Sequence, residues 1–438
     1  MRSAGVEVVR QIHKTIGHFF PELFERAEKF ADPRKRKKYL ISELFTAAIA
    51  MFIFKEGSRN EMNLDRRDKQ FTKNYKRIFG LRLPQMDAVE DLFRLLKEEE
   101  LEKLKAELLS SLIENRVLDK YRLFGHFQIA IDGTGTGSFK KNYSGECLHR
   151  TRGDTTTYFD YVLEAKLVTS NGFCLSLATE WVSNSGQEYD KQDCELKAFV
   201  RLAAKIKKLF PRLPICICAD GLYPNKTFFD TISEYKWHYI VTFKDGNLRS
   251  LWEEINLLPT GAFSSCLHEM ICQTNRIQQK ITWINGLLYG NHFVNWIQCE
   301  ETVTHTKTGE SATTKFVQLT NWNIEKTTAK QISDSGRLRW KIENEGFNIQ
   351  KNHQYNLEHK YSRVSFLAVK NYYQCLQIAH LINQLVEHST EIVKLKDDLK
   401  FTGKYLWERL MGVLRERNLE TELPELTQKR RRCQIRLV

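Results

Sequence analysis

The stretch Arg337-Leu-Arg-Trp-Lys-Ile-Glu-Asn-Glu-Gly-Phe-Asn-Ile-Gln-Lys351 has helical spacing and sets Glu343 among cations. Arg339 precedes Glu343 by one helical turn and shares its face, and Lys351 follows about two turns later. Such a setting suits a carboxylate that holds metal beside nucleic-acid phosphates, with Arg337, Arg339 and Lys351 placed to grip those phosphates.

Two aspartates extend the pattern. Asp132 closes the apolar run Phe127-Gln-Ile-Ala-Ile131, and Asp220 closes Leu213-Pro-Ile-Cys-Ile-Cys-Ala219. Short apolar runs bounded by turn signals read as buried strands, so both acids are expected at strand ends, where a buried carboxylate needs a partner. Together, Asp132, Asp220 and Glu343 could hold two divalent cations roughly 3.5–4 Å apart, and an all-oxygen donor set favours magnesium or manganese. Taken singly each residue has an ordinary reading: an acid after a strand often makes an Asx turn or helix cap, and Arg339 with Glu343 is a common i, i+4 pair. The ordered set carries the argument.

A chain of 438 residues is long enough for two or three domains with well-filled cores. The apolar stretch Leu40–Phe54 is interrupted by Glu43 and ends at Lys55, too short and too charged to span a bilayer. Glu7 and Arg10 leave no room for the apolar part of a secretory signal, and most cysteines sit inside apolar runs, as reduced thiols of a cytoplasmic protein do. Cys216 and Cys218 have no second pair at zinc spacing. The net charge of +13 makes contact with a polyanion such as DNA plausible.

The pattern changes along the chain. Residues 1–122 read as a helical domain carrying basic clusters at 34–38, 66–67 and 73–77, suited to DNA binding. From 123 to 245 strands take over: Phe127–Ile131, then Tyr161–Thr169 and Phe173–Trp181 around an Asn171-Gly172 hairpin signal, a helix from 190 to 210, Ile215–Ala219, a helix after Pro224, and His238–Phe243. That order is the order of a ribonuclease H-like α/β core, a mixed sheet with flanking helices. Residues 246–321 read as a β-rich insertion, 322–390 as the rest of the core with the Glu343 helix, and 391–438 as a basic C-terminal segment. The Gly133-Thr-Gly-Thr-Gly-Ser138 stretch reads as a loop but lacks the spacing of a P-loop, and His149 and Arg150 read as surface-loop residues. Trp283 and Trp296 suit either a core or a platform for a flipped base.

The trio Asp132, Asp220 and Glu343, with Ala219-Asp-Gly-Leu-Tyr-Pro-Asn225, Phe243-Lys-Asp-Gly-Asn-Leu-Arg-Ser-Leu-Trp252 and Arg339-Trp-Lys-Ile-Glu-Asn-Glu-Gly-Phe347, resembles the DDE transposases of bacterial insertion sequences, in particular the "insertion sequence four" family. The family signature is a Tyr, an Arg, a Glu and a Lys separated by two, three and six residues. Here Arg339 and Glu343 keep the gap of three, Gly336 stands at the Tyr position, and seven residues separate Glu343 from Lys351, which leaves Gln350 a candidate for that place. Glu345 is the competing third ligand; facing with Arg339 favours Glu343. The resemblance implies an enzyme that binds its element's terminal inverted repeats, pairs the two DNA ends as a homodimer, cuts with two Mg2+ or Mn2+ ions, and joins the freed 3′ hydroxyl to target DNA in the bacterial cytoplasm. A non-catalytic DNA-binding regulator and a stand-alone nuclease on the same scaffold are the alternatives.

Overall fold

Strand β1 (Phe127–Phe139) joins the antiparallel and the parallel parts of the sheet, pairing with the strand Thr155–Val168 on one side and the strand Ile215–Ala219 on the other. The apolar run 127–131 is only its first half. It continues through Asp132 and the glycine-rich stretch because β3 (Thr155–Val168) pairs with it antiparallel from Ile129↔Leu167 to Phe139↔Tyr158. Asp132 is therefore mid-strand rather than at a strand end, and Gly133–Ser138 is strand, not loop. Gly133 is required there, since a Cβ would meet the Tyr161 ring at 2.5 Å and its hydroxyl at 2.6 Å. A register shift between Gly135 and Gly137 bends the ladder at the next two glycines.

The computed structural model describes residues 3–35, 37–184, 192–427 and 435–438. A short edge strand, β2 (Leu148–Arg152), comes between β1 and β3 in the sequence and pairs with the outer side of β3, so His149 and Arg150 sit on a strand rather than in a loop. Its outer backbone is closed by the Gln192 carboxamide, which accepts from His149 N at 2.8 Å and donates to His149 O at 3.0 Å. β4 (Cys174–Val182) pairs with the other half of β3 after the expected turn, with Gly172 at φ +102°. On the opposite side of β1, β5 (Ile215–Ala219) and β6 (His238–Thr242) add in parallel. β5 is buried along its whole length, which explains its unbroken apolar sequence.

The β-rich stretch is hydrogen-bonded into the same sheet. β7 (Ser264–Cys272), β8 (Asn275–Tyr289), β9 (His292–His305) and β10 (Ser311–Thr320) form a meander, and β10 pairs antiparallel with β6. The strand order is β2-β3-β1-β5-β6-β10-β9-β8-β7, with β4 on β3. Trp283 and Trp296 are buried and act as core residues.

Helices cover the sheet. Among the described residues of 4–114 there are seven helices, one of them Ile41–Ile53, whose first turn Glu43 caps by accepting from Leu40 N at 3.0 Å. They pack around the long helix Phe366–Glu387, which is buried over most of its length and sends Asn371 Nδ2 to the carbonyls of Phe93 and Leu96. The segment after 390 is also helical, and Gly403–Glu416 lies against Ala4–Phe19, where Gly5 meets the Arg409 backbone. The larger apolar cluster runs from Val6 to Leu426, and a smaller one gathers Cys218, Ile240, Ile281, Trp283 and Ile332. Most of the basic run 428–436 lies outside the described residues. No described helix is long and apolar enough to cross a membrane, and the described cysteines are free thiols.

Candidate active site

β1 and β5 pair in register at Ala130↔Cys218. Two residues further along each strand direction stand Asp132 and, just past the end of β5, Asp220, and alternation from that pair carries both toward the same face. Asp220 follows its strand directly and shapes the turn beyond it, accepting from Leu222 N at 2.8 Å, and Lys244 Nζ lies 3.8 Å from its Oδ2. Gly221 leaves room for that lysine, whose stem a Cβ would meet at 2.8 Å.

Glu343 comes from a helical segment packed on the face of β1 that carries Gln128 and Asp132. The expected helix from Glu325 is an α-helix over Ala329–Arg337, and Glu343 belongs to a following π-helical segment, Ile342–Asn348, which passes into a last short turn, Ile349–Asn352. Arg339 links the two halves of the site: its Nη1 donates to Glu343 Oε1 at 2.7 Å and stands 3.7 Å from Asp132 Oδ2. Arg339 is itself buried, lies over the Trp340 ring, and keeps an Nε–H without a partner. Glu345 turns away to Lys341, 2.6 Å distant. Gly336 occurs where a side chain would run into the Gln318 carboxamide.

Burial, then the Glu343 charge, push the Asp132 carboxyl up to about 7 against the pull of Arg339 and the Gly133 N–H. Glu195 adds to that push. This glutamate, the first residue of helix Glu195–Leu209, accepts from Tyr161 Oη at 2.5 Å and from Tyr223 Oη at 3.3 Å. Burial, Glu195, Asp132 and Asp220 raise both phenols, so the hydroxyls stay protonated as donors. The sequence reading missed Glu195, because an acid in the first turn of a helix is ordinary. Its partners lie on β3 and in the Asp220 turn, a proximity visible only once the sheet is built.

The remaining cations are engaged elsewhere. Arg337 donates to Glu301 at 2.9 Å and lies over Phe316, and Lys351 pairs with Glu358 at 2.9 Å. Gln350 is fully buried against Gln377 and His380. Beyond Asp132, β1 leads to the exposed Lys140 and Lys141, and the β2–β3 hairpin adds the exposed Arg150 and Arg152.

Among the described residues no group of three or more His, Cys, Asp or Glu side chains is arranged to hold a metal ion. The donor chemistry nevertheless fits a hard divalent cation: the acids are oxygen donors, and burial, then the charge of Glu343, raises the Asp132 carboxyl. For such binding, Arg339 would have to release Glu343 and Lys244 would have to leave Asp220.

No family model matches the chain, and no curated protein matches its sequence. Among solved structures, the chain is similar to a piggyBac transposase in a synaptic complex with hairpin DNA, solved by cryo-EM. The TM-score is 0.43 at 10% identity, with 96% of this chain and 83% of that one covered.

Proposed function

We propose that the chain is a DNA transposase: it binds the terminal repeats of a bacterial insertion sequence, pairs two ends as a homodimer, and cuts and joins DNA in the cytoplasm. The observation that carries the reading is Asp132 and Asp220 each two residues beyond the in-register pair Ala130↔Cys218, with Glu343 tied to Asp132 through Arg339. The strand order β4-β3-β1-β5-β6, three antiparallel strands followed by two parallel ones, supports a ribonuclease H-like core. The resemblance carried by residues 219–225, 243–252 and 339–347 points the same way.

Asp132, Asp220 and Glu343 would hold the metal. Bound magnesium or manganese ions would supply charge for the attacking and leaving oxygens of a phosphodiester. Arg339 holds Glu343 toward Asp132 and carries a spare N–H for a phosphate oxygen that displaces the carboxylate. Lys140, Lys141, Arg150 and Arg152 offer a phosphate track leading away from Asp132, consistent with the excess of positive charge. Arg337 and Lys351 serve DNA only if they leave Glu301 and Glu358.

The test is nicking of duplex DNA with Mn2+ by the wild type and by Asp132→Asn, Asp220→Asn and Glu343→Gln. Loss in all three with DNA binding retained is expected. Because the carboxylates are engaged with Arg339 and Lys244, a non-catalytic DNA-binding regulator is the second reading; specific binding without cleavage in any metal would favour it.

A further inference from the structure

Two tyrosines next to the two aspartates share one carboxylate. Tyr161 packs its ring against Gly133, the residue after Asp132, so closely that no Cβ fits between them. Tyr223 belongs to the turn that Asp220 opens, its N donating to Asp220 O at 3.3 Å. Both hydroxyls reach Glu195, one on each oxygen. The Asp132 strand and the Asp220 turn are thus joined by a Tyr161–Glu195–Tyr223 bridge anchored on the helix Glu195–Leu209, which packs against β3 and β4.

We infer that Glu195 is a positioning residue of the site, fixing Asp132 and Asp220 relative to each other through Tyr161 and Tyr223. The inference rests on the proposed metal site and adds to it a residue outside the Asp, Asp, Glu trio. A carboxylate has room for this role, since two accepted hydrogen bonds use about half of its roughly four acceptor positions. Partners that orient metal-holding groups typically change metal affinity about 10–100-fold when removed.

The experiment is Mn2+ binding to the full chain without DNA, followed by water-proton relaxation, alongside thermal unfolding. Glu195→Ala should weaken Mn2+ binding by about tenfold or more, and Glu195→Gln, which keeps one acceptor oxygen, by less. Tyr161→Phe and Tyr223→Phe should each weaken it, and neither should add anything in the Glu195→Ala background. If Glu195→Ala lowers the unfolding temperature but leaves Mn2+ affinity unchanged, Glu195 is merely structural and the inference fails. If Glu195→Ala weakens binding while both Tyr→Phe variants are neutral, the bridge is not what positions the aspartates, and the inference fails again. Asp132→Asn separates the levels. Its loss of Mn2+ binding keeps the site standing whatever Glu195 does, whereas no change would overturn the metal site itself.

Discussion

Asp132 has a carboxyl near pH 7 in the folded chain, against about 3.9 in an unfolded one. Between those values the folded state keeps a proton that the unfolded state has lost, so this group's contribution to stability falls as pH rises from 4 through 7. Asp132→Asn removes that slope. Its unfolding temperature in EDTA, measured against wild type, should gain several degrees between pH 5 and pH 8, and Mn2+ should shrink the gap; a pH-independent difference would count against the assignment. Glu343 and Glu345 separate just as sharply. Glu343→Gln should cost at least about a hundredfold in metal-dependent nicking, and Glu345→Gln, which loses only the Lys341 pair, should stay within about threefold. At this scale the sequence was legible where chemistry is local: Arg339 meets both Glu343 and Asp132, and Asp220 follows the strand paired with β1. It was not legible for Arg337 and Lys351, whose partners Glu301 and Glu358 depend on tertiary placement.

The π-helical winding of Ile342–Asn348 is the element that sets Glu343. A π-turn absorbs one residue more than an α-turn, and seven residues stand between Glu343 and Lys351. No pattern of apolar spacing announces such a turn, which is why a plain helix was expected. Gly346 lets the segment press on the sheet: an added Cβ would lie 3.1 Å from Cys174 Sγ and 3.5 Å from Lys166 Cδ. Gly346→Ala should therefore destabilise by about 1–3 kcal/mol, read by thermal unfolding, and lower nicking along with it. The strands Ile215–Ala219 and His238–Thr242 were readable almost to the residue, because burial on both faces leaves an unbroken apolar run. β1 was read too short, since its second half is built of glycine and threonine and owes its pairing to β3. β2 and β7 were missed for a similar reason: both are edge strands with mostly exposed side chains.

At the scale of the whole molecule, helices from both ends of the chain close one core around Phe366–Glu387, an arrangement of contacts far apart in sequence that no local pattern encodes. Lys55 joins that helix through Glu387 at 3.3 Å, between the rings of Tyr355 and Trp407. Lys55→Met leaves Glu387, which is partly exposed and keeps its hydrogen bond from Trp407 Nε1, without its cation and should cost about 1–3 kcal/mol, lowering a single unfolding transition rather than splitting it, as calorimetry would record. The basic surface and the alternation of helix and strand were visible in composition and periodicity, whereas the joining of 246–321 to the core sheet along β10 and β6 required the pairing itself. The central claim is that this assembly cuts DNA ends and joins them through Asp132, Asp220 and Glu343. Its most direct test is transfer of a labelled duplex, carrying the DNA end that flanks the chain's own coding sequence, into a target plasmid with Mg2+, Mn2+ or EDTA. Joined product with either metal, absent in EDTA and in each of the three carboxylate variants, is the predicted result; end binding with no cleavage or joining in any condition would contradict it.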